Sequence, residues 1–218
     1  MPHGARLRDH CKVLESAIPI SAVVGLESAV IERELQELYA ARRDAMRTRF
    51  DRDLPFDELV FDRWERAAVL GFGRESSIYH LSYVYGDVKV GEHTWVGPST
   101  LLDGTGGLSI GSWCAISAGA QIYTHDSAAS TVTGGAAPTV RQSVTIEDCC
   151  FIGPLSIVTM GVRIGAHSVV GGHSFVNRDV DPYSIVVGTP ARKIGRVVIE
   201  GHQARFVYEV APEHRTSR

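Results

Sequence analysis

The fold is decided by residues 146–176, which read IEDCCFIGPLSIVTMGVRIGAHSVVGGHSFV. An aliphatic residue stands at every sixth position of this stretch, at Ile146, Ile152, Val158, Ile164, Val170 and Val176. Neither the 3.6-residue period of a helix nor the two-residue alternation of a strand produces that spacing. Six residues form one short strand and a turn, so three such units close a triangular coil whose aliphatic residues point inward. The stretch therefore predicts a β-solenoid with a continuous stacked core.

The repeat continues toward the N-terminus with the same period. Aliphatic residues stand at Ile78, Val84, Val90, Val96 and Leu102 and, after two extra residues, at Ile110, Ile116 and Ile122. Together with the stretch above, 14 aliphatic positions are in register. Glycine often follows the aliphatic residue, which suits tight corners because glycine tolerates backbone conformations that other residues do not. A sandwich of short strands predicts alternation with period two and does not explain the period of six.

The region before the repeat has a different pattern. From residue 26 to about residue 50, apolar residues recur at helical spacing with Glu and Arg on the other face, which predicts an amphipathic helix. Residues 54–70 are shorter and mixed, and Pro55 followed by Asp57 resembles a helix start. Residues 1–25 receive no assignment.

The sequence therefore divides into three parts. They are a helical N-terminal segment over residues 1–70, a β-helix domain over 71–187 with an inserted loop at about 124–143, and a C-terminal segment over 188–218. We expect the helical part to cover one end of the solenoid, because an end coil would otherwise expose apolar surface. We expect the polar end of the C-terminal segment to be frayed.

Composition excludes several classes of protein. A net charge of −3 without a basic run provides no field that attracts nucleic acid, so we expect no nucleic-acid partner. No apolar run reaches the ~18 residues that a membrane span requires, and the first ten residues lack the apolar core of a secretory signal. The four cysteines show no spacing typical of a zinc site. We therefore expect a reduced, cytoplasmic compartment.

Two insertions interrupt the repeat. The shorter, DGTGG, begins at Asp103, and the longer occupies about residues 124–143, reading THDSAASTVTGGAAPTVRQS. Solenoids carry insertions as loops on one face, which is often the binding face. A loop of ~20 residues without its own periodicity is usually functional in a compact domain.

The hexads, the IYTHD that opens the longer insertion and the closing GTPARKIGRV together resemble the hexapeptide-repeat acyltransferases. The segments LPFDELVFDRWERAAVLGFG, GDVKVGEHTWVGP and CAISAGAQIYTHD look closest to bacterial sugar O-acetyltransferases of surface-polysaccharide clusters. The resemblance covers about residues 54–197. It implies a mainly β fold, a left-handed parallel β-helix with a helical N-terminal segment and a short C-terminal tail. It also implies transfer of acetyl from acetyl-CoA to a hydroxyl or amine of a sugar or nucleotide-sugar, and a homotrimer with active sites between subunits.

The resemblance implies that His125 is the general base, since a neutral imidazole can accept and return a proton near neutral pH. Relatives orient the second ring nitrogen with a backbone carbonyl in some members and a carboxylate in others. Asp103, about one coil earlier, is our candidate for that partner, with stabilisation of the DGTGG turn as its alternative role. Asp126 is adjacent to His125 in the chain, so its side chain can point away, and we assign it to acceptor binding.

In this family, backbone N–H groups of the coil after the loop stabilise the oxyanion of the reaction. That coil reads FIGPLS here, and Pro154 has no N–H, which leaves Gly153, Leu155 or another strand as the donor. Phe151 stands where relatives place an aromatic ring beside the acceptor or the thioester, although packing beside an inward Ile is an equal alternative.

The resemblance also implies cofactor contacts in the last coils. Small residues leave room for the pantetheine arm, and the cations of PARKIGR suit the phosphates. The assigned residues are Gly171, Gly172, Ser174, Asn177, Arg192, Lys193 and Arg196. A solvated basic turn is the alternative for the three cations.

Two rival functions and one open question remain. A zinc enzyme like the γ-type carbonic anhydrases of this fold needs two His ligands as His-x4-His, a spacing absent among His80, His93, His167 and His173, so we expect no metal. A non-catalytic trimeric scaffold does not account for the insertion that begins at His125. The acceptor cannot be identified from the sequence, and a small metabolite or an antibiotic is the alternative to a sugar.

Overall fold

The structure is a computed structural model and describes residues 28–209. The chain divides into two compact units, Met1–Leu54 and Pro55–Arg218. In the first unit, helix α1 spans Ser28–Phe50, which confirms the predicted helical N-terminal segment. Its sequence contains no Gly or Pro, and it ends where Asp51 adopts a left-handed φ of 51°. Residues 1–25, which received no assignment, lie outside the described residues.

Two short helices begin the second unit, α2 over Phe56–Val60 and α3 over Arg63–Val69. Asp62 caps α3 by accepting the N–H groups of Trp64 and Glu65. Both helices bind the first turn of the solenoid through charged side chains. The buried Glu58 accepts the N–H of His80, and Arg66 donates to the carbonyls of Tyr79 and Ser82.

Short strands and one further helix make up the rest of the described chain. They are β1 Ser77–Ile78, β2 Tyr83–Val90, β3 Trp95–Val96, β4 Leu101–Ile110, β5 Ala115–Ile116, β6 Gln121–Ile122, β7 His125–Asp126, helix α4 Ala128–Val132, β8 Val140–Arg141, β9 Val144–Ile146, β10 Phe151–Ile152, β11 Ile157–Val158, β12 Arg163–Ile164, β13 Val169–Val170, β14 Phe175–Val176, β15 Ser184–Val187, β16 Arg192–Glu200 and β17 Gln203–Tyr208. None of the helices within residues 28–209 is both long and apolar enough to cross a membrane.

These strands form a parallel β-helix with three faces, as the repeat predicts. The first face contains β1, β3, β5, β10, β13 and β15. The second face contains the starts of β2 and β4, then β6, β11 and β14. The third face contains the ends of β2 and β4, then β9 and β12. We number the corners so that the first joins the first and second faces, the second joins the second and third, and the third leads into the next coil.

The inward residues follow the predicted register. Five complete coils begin at Ile78, Val96, Ile116, Ile152 and Val170, and Val186 begins a sixth. All 14 predicted core positions are buried except Val84, which is partly buried and packs against the core. The six-residue period therefore identifies the core.

Glycine is required in this fold chiefly for close packing between coils. A Cβ on Gly153 would lie 2.5 Å from the backbone N of Gly172, a distance that real side chains do not reach. By contrast, the left-handed backbone of the third corner is carried by His93, Trp113, Cys149, His167 and Tyr183, with φ between 55° and 59°. The expectation that glycine supplies the unusual backbone angles is therefore wrong at this corner.

The C-terminal segment is more ordered than the predicted tail. Strand β16 pairs antiparallel with β15 and with β17, so the hairpin extends the first face of the solenoid. Residues 210–218, where we expect fraying, lie outside the described residues.

Candidate active site

Both insertions leave the solenoid at the second corner. They follow Leu102 and Ile122, which are register partners on neighbouring coils. The longer insertion begins with β7, and β7 pairs antiparallel with β8 so that His125 lies opposite Arg141. Because the two insertions stack at one corner, residues distant in sequence become neighbours.

Asp103 and His125 meet at this corner. The Nδ1 atom of His125 lies 2.6 Å from Oδ2 of Asp103. The Asp103 residue is only 1% exposed, whereas the side chain of His125 is 36% exposed. The structure thus places the two sequence candidates in direct contact, with the carboxylate inside and the imidazole toward solvent.

The Asp103 carboxylate is held by several donors. Oδ1 accepts the N–H of Thr105 at 3.0 Å, and Oδ2 accepts the N–H of Thr124 at 2.8 Å. The Thr124 hydroxyl lies 3.2 Å from Oδ2 but closer to the Asp103 carbonyl, so its one proton is shared between the two. Burial by itself raises the pKa of Asp103, but the hydrogen bonds from Thr124, Thr105 and His125 outweigh it and hold that pKa below the usual range. Asp103 is therefore ionised at neutral pH.

An ionised carboxylate can only accept a hydrogen bond, which fixes the tautomer of His125. Its Nδ1 carries the proton and donates to Asp103, and Nε2 has a free lone pair. No hydrogen bond within residues 28–209 uses Nε2. The arrangement can accept a proton at Nε2 and balance the resulting positive charge with the carboxylate.

Two threonines of the site were missed by the sequence analysis. Thr124 is fully buried; its hydroxyl donates to the Asp103 carbonyl at 2.8 Å and accepts the N–H of Gly106 at the same distance. Thr105 is exposed, and its Oγ1 lies 3.3 Å from Nδ1 of His125. The only sequence signal was their position, because each lies in an insertion beside a candidate residue.

Asp126 does not contact the imidazole. Its side chain is exposed and accepts the N–H of Ala128 at 2.7 Å, which forms the turn before α4. This contact accounts for the residue locally, and the acceptor-binding role remains a prediction.

Phe151 lies on the far side of its own chain from His125. It occupies the first face, pointing outward beside the inward Ile152, and that face is opposite the second corner. Within one chain the ring therefore does not stand beside the candidate base. Its predicted place beside the acceptor stays a prediction, and it requires a neighbouring subunit.

The N–H groups of Gly153 and Leu155, the two candidate oxyanion donors, already form hydrogen bonds within the solenoid. The N–H of Gly153 donates to the carbonyl of Val170 at 2.8 Å, and that of Leu155 to Ala118 at 3.0 Å. Both bonds connect neighbouring coils, so using either N–H for a ligand would break the ladder of the solenoid. Neither amide is free to stabilise an oxyanion in this structure.

The small residues assigned to the cofactor lie at the first corner, away from His125. Ser174 is buried, its hydroxyl donating to the Gly171 carbonyl at 2.6 Å and accepting the N–H of Gly188 at 3.1 Å. These bonds commit the hydroxyl to the corner itself, and its contact with a cofactor stays a prediction. Gly172 is exposed beside Pro154, and the structure gives it no connection to the second corner.

A cavity of about 150 Å³ brings together three of the other assigned residues. Asn177, Arg192 and Lys193 line it, beside the second corner of the fifth coil. The buried hydroxyl of Ser184 also lines the cavity and finds no hydrogen-bond partner among the described residues. The lining carries three cations, including Arg178, against the carboxylates of Asp179 and Asp181, so one positive charge is left over. With the unsatisfied Ser184 hydroxyl as a further donor, this excess suits an anionic group. Arg196 does not line it and is exposed on β16.

The histidines of the repeat are dispersed. His80 and His173 lie at the first corner, while His93 and His167 lie at the third. Over residues 28–209 no group of three or more His, Cys, Asp or Glu side chains converges as metal ligands would.

The sequence is similar to known acetyltransferases over part of its length. No protein-family model matches the chain. It is 37% identical over 73 residues to the 2,3,4,5-tetrahydropyridine-2,6-dicarboxylate N-acetyltransferase of Brevibacillus brevis, covering 34% of this chain and 31% of that relative. It is 33% identical over 105 residues to a chloramphenicol acetyltransferase of Klebsiella aerogenes, covering 40% of this chain and 50% of that relative.

A solved structure is similar over a longer span. It is a hexapeptide-repeat-containing acetyltransferase from Vibrio cholerae O1 biovar eltor in complex with acetyl coenzyme A, with 29% identity and a TM-score of 0.57. The match covers 78% of this chain and 90% of that one. The chain spans only 31% and 50% of the lengths of the two curated relatives above. By its repeat, its β-helix and these likenesses, the chain resembles the hexapeptide-repeat acetyltransferases.

Proposed function

We propose that the protein transfers an acetyl group from acetyl-CoA to a hydroxyl or an amine of a sugar or nucleotide-sugar, with His125 as general base. The observation that carries the proposal is the Asp103–His125 pair at 2.6 Å, with the free Nε2 at an exposed corner. General bases of this kind contribute roughly 10²–10⁴-fold to a rate.

The proton balance of the reaction uses one imidazole. Nε2 of His125 takes the proton of the acceptor hydroxyl or amine as its oxygen or nitrogen attacks the thioester carbonyl carbon. When the carbon–sulfur bond breaks, the same Nε2 returns the proton to the departing thiolate. Between the two steps the imidazolium is stabilised by the Asp103 carboxylate, which acts as a positioning residue and stays ionised.

The donor of the acetyl group fits the second corner and the cavity above it. Arg192 and Lys193 would bind phosphate oxygens, and the unsatisfied Ser184 hydroxyl adds a donor. The cavity borders the fifth coil and His125 the third, so the nucleotide end and the reacting thioester would be separated along one corner of the solenoid. Acetyl-CoA supplies the activated acetyl group; the chain's own residues hold its phosphates and move the proton.

The lack of a free oxyanion donor among the candidate N–H groups and the position of Phe151 both favour an oligomer. Gly153 and Leu155 are bonded within the chain, and Phe151 faces away from its own His125. A homotrimer with active sites between subunits would bring coils of a neighbour to the second corner, in the cyclic arrangement typical of soluble oligomers. This assembly and a cytoplasmic location belong to the proposal.

A small antibiotic-like alcohol is the second candidate acceptor, since a chloramphenicol acetyltransferase is among the relatives. The chemistry at His125 would be the same for both acceptors, because each presents a hydroxyl.

The test measures thiol release from acetyl-CoA over a panel of methyl glycosides, nucleotide-sugars and chloramphenicol. With any accepted substrate, we expect His125→Ala to lower kcat roughly 10²–10⁴-fold. The control is His202→Ala, which changes an exposed His in the turn between β16 and β17. Activity of His125→Ala within a few-fold of wild type would remove His125 from the mechanism. Failure of the wild type to bind acetyl-CoA would overturn the proposed function itself.

A further inference from the structure

Two exposed tyrosines at the start of the solenoid have no structural role that explains their exposure. Tyr83 is 60% exposed and Tyr85 is 48% exposed, and both point outward from β2 while Val84 points inward. Their rings stack on each other with centroids 6.2 Å apart and planes inclined by 25°. In the described part of the chain neither phenolic hydroxyl has a hydrogen-bond partner.

This pair lies beside the candidate active site. Tyr85 is the direct register partner of Asp103, one coil toward the N-terminal end. His125 lies one coil beyond Asp103 toward the C-terminal end. The ring of Tyr123 is edge-on to the His125 imidazole, with the ring centroids 6.4 Å apart. The two tyrosines thus border the second corner, where the proposed base is exposed.

At the corner beside the tyrosines, a glycine allows the backbones of two neighbouring coils to approach closely. Gly86 follows Tyr85 with a φ of +68°, and a Cβ there would lie 2.6 Å from the backbone carbon of Gly104. No side chain can therefore stand between the tyrosine pair and the next coil at this position.

On the other side of His125 lies the proposed site for acetyl-CoA. The cavity with Arg192 and Lys193 lies beside the fifth coil, on the C-terminal side of the third coil, which carries His125. Tyr83 and Tyr85 lie on the first coil, on its N-terminal side. Two substrates that meet at one Nε2 must approach from different directions, which leaves the tyrosine side for the acceptor.

We propose that Tyr83 and Tyr85 form a stacking platform for a ring of the acceptor. The inference rests on the proposed function and adds a binding site and a substrate class to it. Neighbouring coils are about 4.8 Å apart, so the platform and His125 are separated by roughly 10 Å along the axis. One sugar ring is too short to cover both. The acceptor therefore carries a second ring, a further sugar or a nucleobase, beside the sugar that is acylated.

The experiment measures binding directly, so that it does not depend on turnover. The dissociation constants of methyl β-glucopyranoside, methyl β-maltoside, p-nitrophenyl β-glucopyranoside and UDP-glucose are determined by ligand-observed NMR titration. The proteins are the wild type, Y83A/Y85A, Y83F/Y85F and, as the control, W113A. Trp113 is an exposed ring of comparable size at the third corner, away from the site.

We expect the wild type to bind at least one probe with two or more rings about 10-fold more tightly than the one-ring glycoside, as ring stacking allows. The Y83A/Y85A variant should lose that advantage, while Y83F/Y85F and W113A should keep it within about two-fold. A preference for the maltoside identifies a second sugar, and a preference for the nitrophenyl or uridine probe identifies an aromatic ring.

Equal affinity of the wild type for the one-ring glycoside and the three larger probes, or an undiminished preference in Y83A/Y85A, would overturn the platform. So would failure of all four probes to bind. Acetyl-CoA binding is measured in parallel and should be unchanged in Y83A/Y85A. A wild type that shows tyrosine-dependent ring binding but neither binds acetyl-CoA nor releases thiol would refute the proposed function and leave the platform standing.

Discussion

Replacing Asp103 by Asn tests the centre of the site, because the two side chains have the same shape and differ in charge and donors. The carboxylate accepts the N–H of Thr105 on one oxygen and the Thr124 and His125 groups on the other. An amide has only one acceptor oxygen. The orientation that retains more bonds puts this oxygen toward Thr124 and His125 and turns the NH₂ group toward the N–H of Thr105.

The cost of that orientation can be worked from the contacts. One partly buried N–H, that of Thr105, loses its acceptor, which costs about 1–3 kcal/mol. The remaining bonds change from charge-assisted to neutral, and such bonds are weaker by about 1 kcal/mol. We expect Asp103→Asn to lower the free energy of unfolding by roughly 2–4 kcal/mol at pH 7. The His125 tautomer is retained but its counter-charge is lost, so kcat should fall roughly 10- to 100-fold, less than in His125→Ala.

The pH dependence of stability gives a second readout. Burial raises the pKa of Asp103, but its hydrogen bonds outweigh burial and lower that pKa in the folded state. A lowered pKa contributes stability that is complete above the unfolded value of about 3.9 and is lost as pH falls through the folded value. The stability difference between wild type and Asp103→Asn should shrink as pH falls below 4.

The assay is urea unfolding at several pH values, with kcat measured at saturating acetyl-CoA on the same proteins. The control is Asp87→Asn, because Asp87 lies at the same corner on the first coil but is exposed, and among the described residues its carboxylate pairs with Lys89 alone. An unchanged unfolding free energy in Asp103→Asn at pH 7 would refute the hydrogen-bond reasoning. A stability difference that grows as pH falls below 4 would refute the direction of the pKa shift.

Three further predictions concern the metal, the cofactor and the core. Extensive chelation should leave activity unchanged, and loss on chelation with recovery on adding zinc would revive the carbonic anhydrase interpretation. Changing Arg192 and Lys193 to Ala should weaken the binding of coenzyme A, measured by calorimetry, roughly 5- to 150-fold, and should affect a truncated pantetheine thioester less. An equal loss for both ligands would contradict phosphate binding at the cavity. Ile122 is fully buried, so Ile122→Ala should lower the free energy of unfolding by about 2–5 kcal/mol. Val84 is only partly buried, so Val84→Ala should lower it less. Equal losses would contradict the assignment of the core.

The period of six was sufficient to predict the solenoid, its core and the position of both insertions. Counting the hexads in threes would also have placed Phe151 opposite the corner that carries His125. The reason is that Ile122 belongs to the second face, Ile146 to the third and Ile152 to the first. That arithmetic was available from the sequence alone. The stacking of Asp103 near His125 was likewise anticipated, since both follow register partners.

Other features of the site depend on backbone bonds that the repeat does not reveal. The period shows which side chains point inward but not which N–H groups are already bonded to the next coil, and Gly153 and Leu155 proved to be occupied. It also does not distinguish a small residue lining a groove from one sealed inside a corner, as Ser174 is. Both questions are decided by contacts between coils.

The sequence by itself determined that this chain is a solenoid with two insertions and a His at the edge of the longer one. Only the tertiary structure decided that Asp103, and not Asp126, holds that His, and that the cations of β16 meet Asn177 at a cavity. The physical reason is that a periodic core follows from local side-chain size and spacing. The active site is made by irregular segments, whose conformation is determined by hydrogen bonds to residues one or more coils away.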